Sequence, residues 1–137
     1  LRAAGSKAQI VTLSNNAASG FVKSLKENAR GMVVSQVFPY ERSMSAPMVK
    51  ELHDLLGSKG ASEITPAMLE GFAAAKVLVE GLKRAGPNPT RERLRTALES
   101  FKKVDIGGLE VSFSAADHTG LEYSDLSIIA QDGRFQR

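Results

Sequence analysis

Hydrophobic and polar positions change period four times along the chain. Gln9 to Leu13 (QIVTL) is a short β-branched run and predicts a strand. Ser14-Asn15-Asn16 follow as a turn cluster that can also cap a helix. From Ala17 to Ala29 the apolar residues Ala18, Phe21, Val22, Leu25 and Ala29 fall at helical spacing. Gly31 ends that segment, and Met32 to Phe38 (MVVSQVF) predicts the next strand, closed by Pro39. Strand, helix and strand with short connections make a βαβ unit, which requires a parallel pair and a right-handed crossover. The period then becomes helical. Pro47 suits a helix start, with Val49, Leu52, Leu55 and Leu56 on one side and Gly57 at the stop. Residues 58–65 read as a polar loop. Thr65 caps a stronger helix, Pro66 fits its first turn, and Met68, Phe72, Ala75, Val79 and Leu82 repeat in steps of four and three. Lys83 and Arg84 fall where the helix dipole is negative, and Gly86-Pro87 stops the run. Thr90 caps the next helix, which carries Leu94, Ala97, Leu98 and Phe101.

In the last third the period drops to two. Gly107-Gly108 marks a turn, and Leu109, Val111 and Phe113 alternate with polar residues as in a half-buried strand. Tyr123 to Ala130 predicts another strand. Asp132-Gly133 is a hairpin signal across which Arg134-Phe135-Gln136 pairs back. The chain has no internal repeat.

Composition narrows the function classes. A length of 137 residues suits one ordinary domain, and 42% hydrophobic with 24% charged residues is a globular balance. The net charge of +3 is spread among interleaved acids, and few residues are aromatic, so nucleic acid is not an expected partner. The absence of cysteine removes disulfide and thiol chemistry. No apolar run is as long as a membrane-spanning helix. Leu1 to Gly5 reads as the end of a helix, which suggests a piece of a longer protein.

Three phrases carry a resemblance. GMVVSQVFPY at residues 31–40, LEGFAAAKVLVEGLKRAGPNPTRERLRTALES at residues 69–100 and IGGLEVSFSAADHTGLEYSDLSIIAQDGRF at residues 106–135 stand in one order. Together they resemble the C-terminal portion of type I periplasmic binding proteins, in the leucine/isoleucine/valine-receptor-like group that serves ABC importers. The resemblance implies an α/β fold class: part of a two-lobe fold with a parallel sheet and flanking helices. It implies that residues 1–35 belong to the second lobe. Residues 36–40 would be a hinge crossing, 41–120 a mostly helical part of the first lobe, 121–123 the return crossing, and 124–137 a strand or hairpin back in the second lobe. It further implies periplasmic localisation, a small-molecule ligand held between lobes, and docking on a membrane permease. The N-terminal part of the same protein would complete both lobes, and without it association with another chain is expected, a copy of itself being one candidate.

Candidate ligand-binding residues follow. Ser14 and Asn15 leave the first strand at its carboxyl end, where open α/β sheets bind ligands; the competing role is turn and helix cap. In the resembling receptors an acid in this loop holds the ligand's ammonium group, whereas here the loop is Ser14-Asn15-Asn16. Gln36, Phe38 and Tyr40 lie on the presumed crossing, where aromatic rings cover an apolar ligand or simply pack. Tyr123 is a weaker candidate at the other crossing. Expected ligands are a small organic acid, an amino acid or an aromatic carboxylate. The alternative is a ligand-sensing regulatory domain of a signalling receptor on the same scaffold. An enzyme is not expected, because no Gly-x-Ser-x-Gly elbow, Walker pattern or Gly-x-Gly-x-x-Gly occurs. No cofactor or metal is expected: Asp105, Asp117, His118 and Asp125 lack a spacing that demands an ion. His53 is expected on an exposed helix face. Lys83, Arg84, Arg91, Arg93 and Arg95 interleave with Glu80, Glu92 and Glu99, as on a solvated helix surface.

Overall fold

The computed structural model describes residues 1–60 and 64–137. Strand β1 (Val11–Thr12) is followed by a 3-10 turn at Ser14–Asn16, helix α1 (Ser19–Leu25), a second 3-10 turn at Lys26–Ala29, and strand β2 (Val33–Gln36). Helices α2 (Pro47–Gly60), α3 (Pro66–Ala85) and α4 (Arg91–Glu99) form the middle. Short strands β3 (Val104–Asp105) and β4 (Glu110–Val111) precede β5 (Asp125–Ile129) and β6 (Phe135–Gln136).

The main sheet runs β1-β2-β5-β6. Its first pair is parallel, with Val11 level with Val33 and Thr12 with Val34, as the crossover through α1 requires. The other two pairs are antiparallel, so the sheet is mixed rather than parallel throughout. The physical reason is connectivity. β5 returns from the helical middle and enters from the end at which β2 leaves, and β6 folds back through the Asp132-Gly133 turn. There Asp132 accepts from the Arg134 N–H, and Gly133 takes a φ of 78°.

Several predicted elements are shorter than their patterns, among them the strands expected over 32–38, 109–113 and 123–130, which pair only over 33–36, 110–111 and 125–129. The helix expected over residues 17–29 breaks at Lys26, whose φ is +51°. Ala18 at its N-cap offers no side-chain bond, and Ala18 and Phe21 of its expected stripe remain exposed. β1 pairs over two residues only, with neighbouring Leu13 exposed. Gly57 leaves helical geometry at φ 64°, as expected of a stop, although helical bonding resumes through Gly60. Of the expected loop at 58–65, residues 61–63 lie outside the described residues.

The expected caps and bounds are realised in α3 and α4, but α3 buries Leu69, Ala73 and Gly81, and Met68, Ala75, Val79 and Leu82 of its expected stripe remain exposed. Thr65 accepts from the Met68 N–H and Thr90 from the Arg93 N–H, each at 3.2 Å. The two helices touch through Gly81, where a Cβ would stand 2.8 Å from the Leu98 side chain. No helix among the described residues is long and apolar enough to cross a membrane.

Buried apolar side chains form two separate clusters. One gathers Ala17, Val22, Ala29, Met32, Val34, Ile129 and Phe135 between the sheet and α1. The other gathers Met48, Val49, Leu52, Leu69, Phe101, Leu109 and Val111 among the helices and the β3–β4 hairpin. The chain passes between them twice, after Gln36 and before Asp125. Phe38, Leu121 and Tyr123 pack against the helical cluster.

Candidate functional site

Register brings the candidate residues to one edge of the sheet. Because β1 and β2 are parallel, their carboxyl ends lie on the same side of the sheet, and the 3-10 turn that begins at Ser14 sits against β2. Phe38 and Tyr40 continue from that edge. β5 runs the other way, so its first residue, Asp125, pairs with Gln36 at the same place. The β6 register (Ile128 with Gln136) sets Arg137 opposite Ser127, and its side chain reaches Asp125 at the edge.

Ser14 is half-buried and Asn15 exposed. Neither caps α1, whose N-cap is Ala18 with no side-chain bond. Asn16 is tied back to Thr12 through a 2.7 Å hydrogen bond, which fixes the turn. Gln36 is fully buried and donates to the Ser127 hydroxyl at 2.8 Å; Ser127 in turn donates to the Val34 carbonyl at 3.3 Å. That pair satisfies polar groups inside the strand pairing. Phe38 and Tyr40 are half-buried. Tyr123, on the return passage, is half-buried against the helical cluster.

Three residues here were missing from the sequence candidates. Arg137, whose side chain is only 12% exposed, donates to the Phe38 carbonyl at 2.8 Å and to Asp125 at 3.0 Å. Its guanidinium carbon lies 5.9 Å from the centre of the Tyr40 ring. Glu41 is buried, and its Oε2 has no hydrogen-bond partner among the described residues. Burial raises its carboxyl above the ordinary carboxylate range; a backbone hydrogen bond and the positive charges of Arg137 and Arg42 oppose that more weakly. Hairpin register sets Arg137 opposite Ser127, two residues from the start of β5, and its side chain spans the remainder to Asp125. Nothing in the sequence marks Glu41 as buried.

The remaining polar candidates are engaged elsewhere. His118 sits 3.1 Å from Glu99, which also receives Arg95 at 2.8 Å. Glu99 is held below the ordinary carboxylate range, first by Arg95 and more weakly by His118. Asp117 bonds the Thr119 hydroxyl and backbone N–H. Asp105 accepts from the N–H groups of Gly107 and Gly108, at 2.8 and 2.6 Å, and these hold its carboxyl below the ordinary range. His53 is partly exposed on α2, 3.5 Å from Asp54. Among the described residues no three His, Asp or Glu side chains cluster as metal ligands would. In the basic run, Arg84 pairs with Glu80 and Arg95 with Glu99 one helical turn away.

A family model described as periplasmic binding protein matches residues 1–133. No curated protein matches the sequence. Among solved structures, a substrate-binding periplasmic protein from Ralstonia solanacearum is 32% identical with a TM-score of 0.81; the match covers 98% of this chain and 39% of that one. A possible leucine/isoleucine/valine-binding protein from Rhodopirellula baltica SH 1 is 24% identical with a TM-score of 0.83, covering 99% of this chain and 37% of that one. A leucine binding protein from Thermotoga maritima MSB8 is 17% identical with a TM-score of 0.81, covering 99% and 38%. The last two likenesses are of fold. The chain thus spans well under half the length of these relatives.

Proposed function

Since the chain belongs to the periplasmic binding protein family, we propose that it is part of the periplasmic solute-binding component of an ABC-type importer. The ligand would be a small organic acid, amino acid or aromatic carboxylate held in a cleft between lobes. In this reading residues 1–35 and 124–137 belong to the second lobe and 41–120 to the first. Residues 36–40 and 121–123 are the hinge crossings. The separation of the two hydrophobic clusters supports that division. Ligand touching both lobes would favour the closed form, which docks on the permease. No bond in the ligand is made or broken.

One observation carries the site assignment. The parallel register delivers Ser14, Asn15, Gln36, Phe38 and Tyr40 to the carboxyl edge of the sheet, where open α/β folds bind ligands. Ser14 and Asn15 make no helix-capping bond there, so their hydroxyl and amide are available to a carboxylate. Phe38 and Tyr40 supply apolar cover. Gln36, bonded to Ser127, would act mainly by fixing the edge.

The test is a titration of isotope-labelled chain with millimolar benzoate, leucine and glutamate, followed by amide chemical shifts. Shift changes concentrated at Ser14, Asn15 and residues 37–41 are expected for at least one ligand. Changes scattered over α3 and α4, or chemical conversion of a ligand, would contradict the reading.

A further inference from the structure

The end of the sheet opposite the candidate edge carries a second concavity. β2 begins there and β5 ends there, and the Gly31 N–H donates to the Ile129 carbonyl at 2.8 Å. The β5–β6 turn is closed by the Ala130 N–H on the Arg134 carbonyl at 2.9 Å. Between this turn and the end of α1 lies a cleft of about 510 Å³, to which Val22 and Ala29 contribute apolar surface. Lys23, Lys26 and Arg30 line it from the α1 side. All three are exposed, and among the described residues none of them is in an ion pair. Two acids share the cleft. Asp132 accepts from the Arg134 N–H at 3.0 Å and lies 3.6 Å from its guanidinium, so its charge is largely offset. Glu27 alone then stands against three cations. The basic run of α3 and α4 differs, since Arg84 and Arg95 there are matched by Glu80 and Glu99.

We infer that this cleft docks an acidic segment of a partner protein. The unmatched cations set the sign of the partner's charge. An exposed ion pair contributes little by itself and is screened by salt, so a lone carboxylate or phosphate is not retained. A peptide segment with several carboxylates engages the three cations together, each contact after the first being intramolecular. A nucleic-acid strand fits poorly: Glu27 and Asp132 repel its phosphates, and no aromatic ring lines the cleft to stack a base. Every wall comes from the sheet-bearing region, so the inference does not rest on the two-lobe reading. The cleft also lies at the other end of the strands from the proposed ligand edge, so partner and ligand can be held at once.

The test is a titration of the isotope-labelled 137-residue chain with a hexaglutamate peptide in about 20 mM salt, followed by amide chemical shifts. Saturable changes are expected at residues 22–30 and 130–133, with affinity falling about fivefold or more in about 200 mM salt. Lys23→Glu combined with Arg30→Glu should weaken binding about tenfold or more, and Glu27→Gln should strengthen it about twofold. These positions are exposed, so the shifts of β2 and β5 should stay in place and show that the variants fold. Arg91→Glu combined with Arg93→Glu makes the same change in net charge on α4 and should leave affinity within about twofold. Acetate and inorganic phosphate at matched charge should give no saturable change. Absence of hexaglutamate binding, an equal loss from the α4 pair, or acetate or phosphate binding as tightly as the peptide would overturn the inference.

Discussion

The helical region and the sheet region handle their apolar residues differently. Among the helices, packing is close. Phe101, Met48 and Leu69 are fully buried, Phe101 and Phe113 lie 5.9 Å apart as tilted rings, and the Arg84 guanidinium covers the Phe101 ring at 4.7 Å. Gly120 has a φ of 81°, and a Cβ there would meet the Phe113 ring at 2.5 Å, so no larger residue fits. The sheet is covered on one face only. Val34, Gln36, Ser127 and Ile129 are buried on one face, Val34 and Ile129 in the cluster that includes Val22 of α1, while the opposite face presents Val11, Leu13, Leu126 and Ile128 to solvent, the last two at 61% and 43% exposure. The register places Val11 and Ile128 on either side of Val33, so these residues share one continuous face. A sheet built around a βαβ crossover normally has both faces covered. The helices leave apolar side chains bare as well, Leu55, Leu78 and Val79 at 69%, 48% and 49% exposure; the sheet differs in that its bare residues share one face of paired strands.

That contrast can be broken or sharpened by substitution. Phe101→Ala should have the largest effect, a loss of about 3–5 kcal/mol read from denaturant unfolding. Its damage should be confined to the helices and the β3–β4 hairpin. Ile129→Ala should cost about 2–4 kcal/mol and release β2 and β5 amides to exchange, while those of α3 and α4 stay protected. If either substitution unfolds both regions in one step with equal loss of protection, the regions are one cooperative unit and the contrast fails.

Substitutions on the bare face should act on association rather than on folding. Leu126→Glu combined with Ile128→Lys should change stability by no more than about 0.5 kcal/mol. In sedimentation the same pair should weaken self-association of the chain about tenfold or more. A chain that is strictly monomeric before substitution would contradict a free apolar face.

The smallest effect is expected at Glu41. Its carboxyl is raised in the folded state, so the protonated form is favoured there. Well below the ordinary carboxylate value the group is protonated whether folded or not, and nothing is lost. As pH rises through the raised value, ionisation of the buried group lowers stability. Glu41→Gln should therefore stabilise by about 1 kcal/mol at neutral pH and by almost nothing near about pH 4. Equal melting-temperature shifts at both pH values would refute this sign.

What was legible in the sequence follows the same division. Thr65-Pro66, Thr90 and Gly86 fixed α3 and α4 closely, because caps and breakers act through neighbouring residues. The parallel β1–β2 pair followed from the βαβ order. The antiparallel entry of β5 was not legible, since it depends on a return from a region some ninety residues away in the chain. The break at Lys26 was hidden too: Leu25 and Ala29 kept helical spacing across a residue that takes positive φ. At the candidate edge, Ser14 and Asn15 are named from their place after the first strand, and Gln36, Phe38 and Tyr40 from the crossing that the family resemblance implies. Arg137 and Glu41 were not, because their burial arises only when hairpin and crossing segment meet.

The proposed motion of two bodies about the segments near residues 40 and 123 can be read directly as a distance. Because the chain has no cysteine, spin labels can be placed cleanly at Gln131→Cys and Arg91→Cys, one on each body, and at Lys50→Cys with Arg91→Cys within the helical one. The account predicts a distance distribution distinctly broader for the first pair than for the second. Equally narrow distributions for both pairs would contradict it.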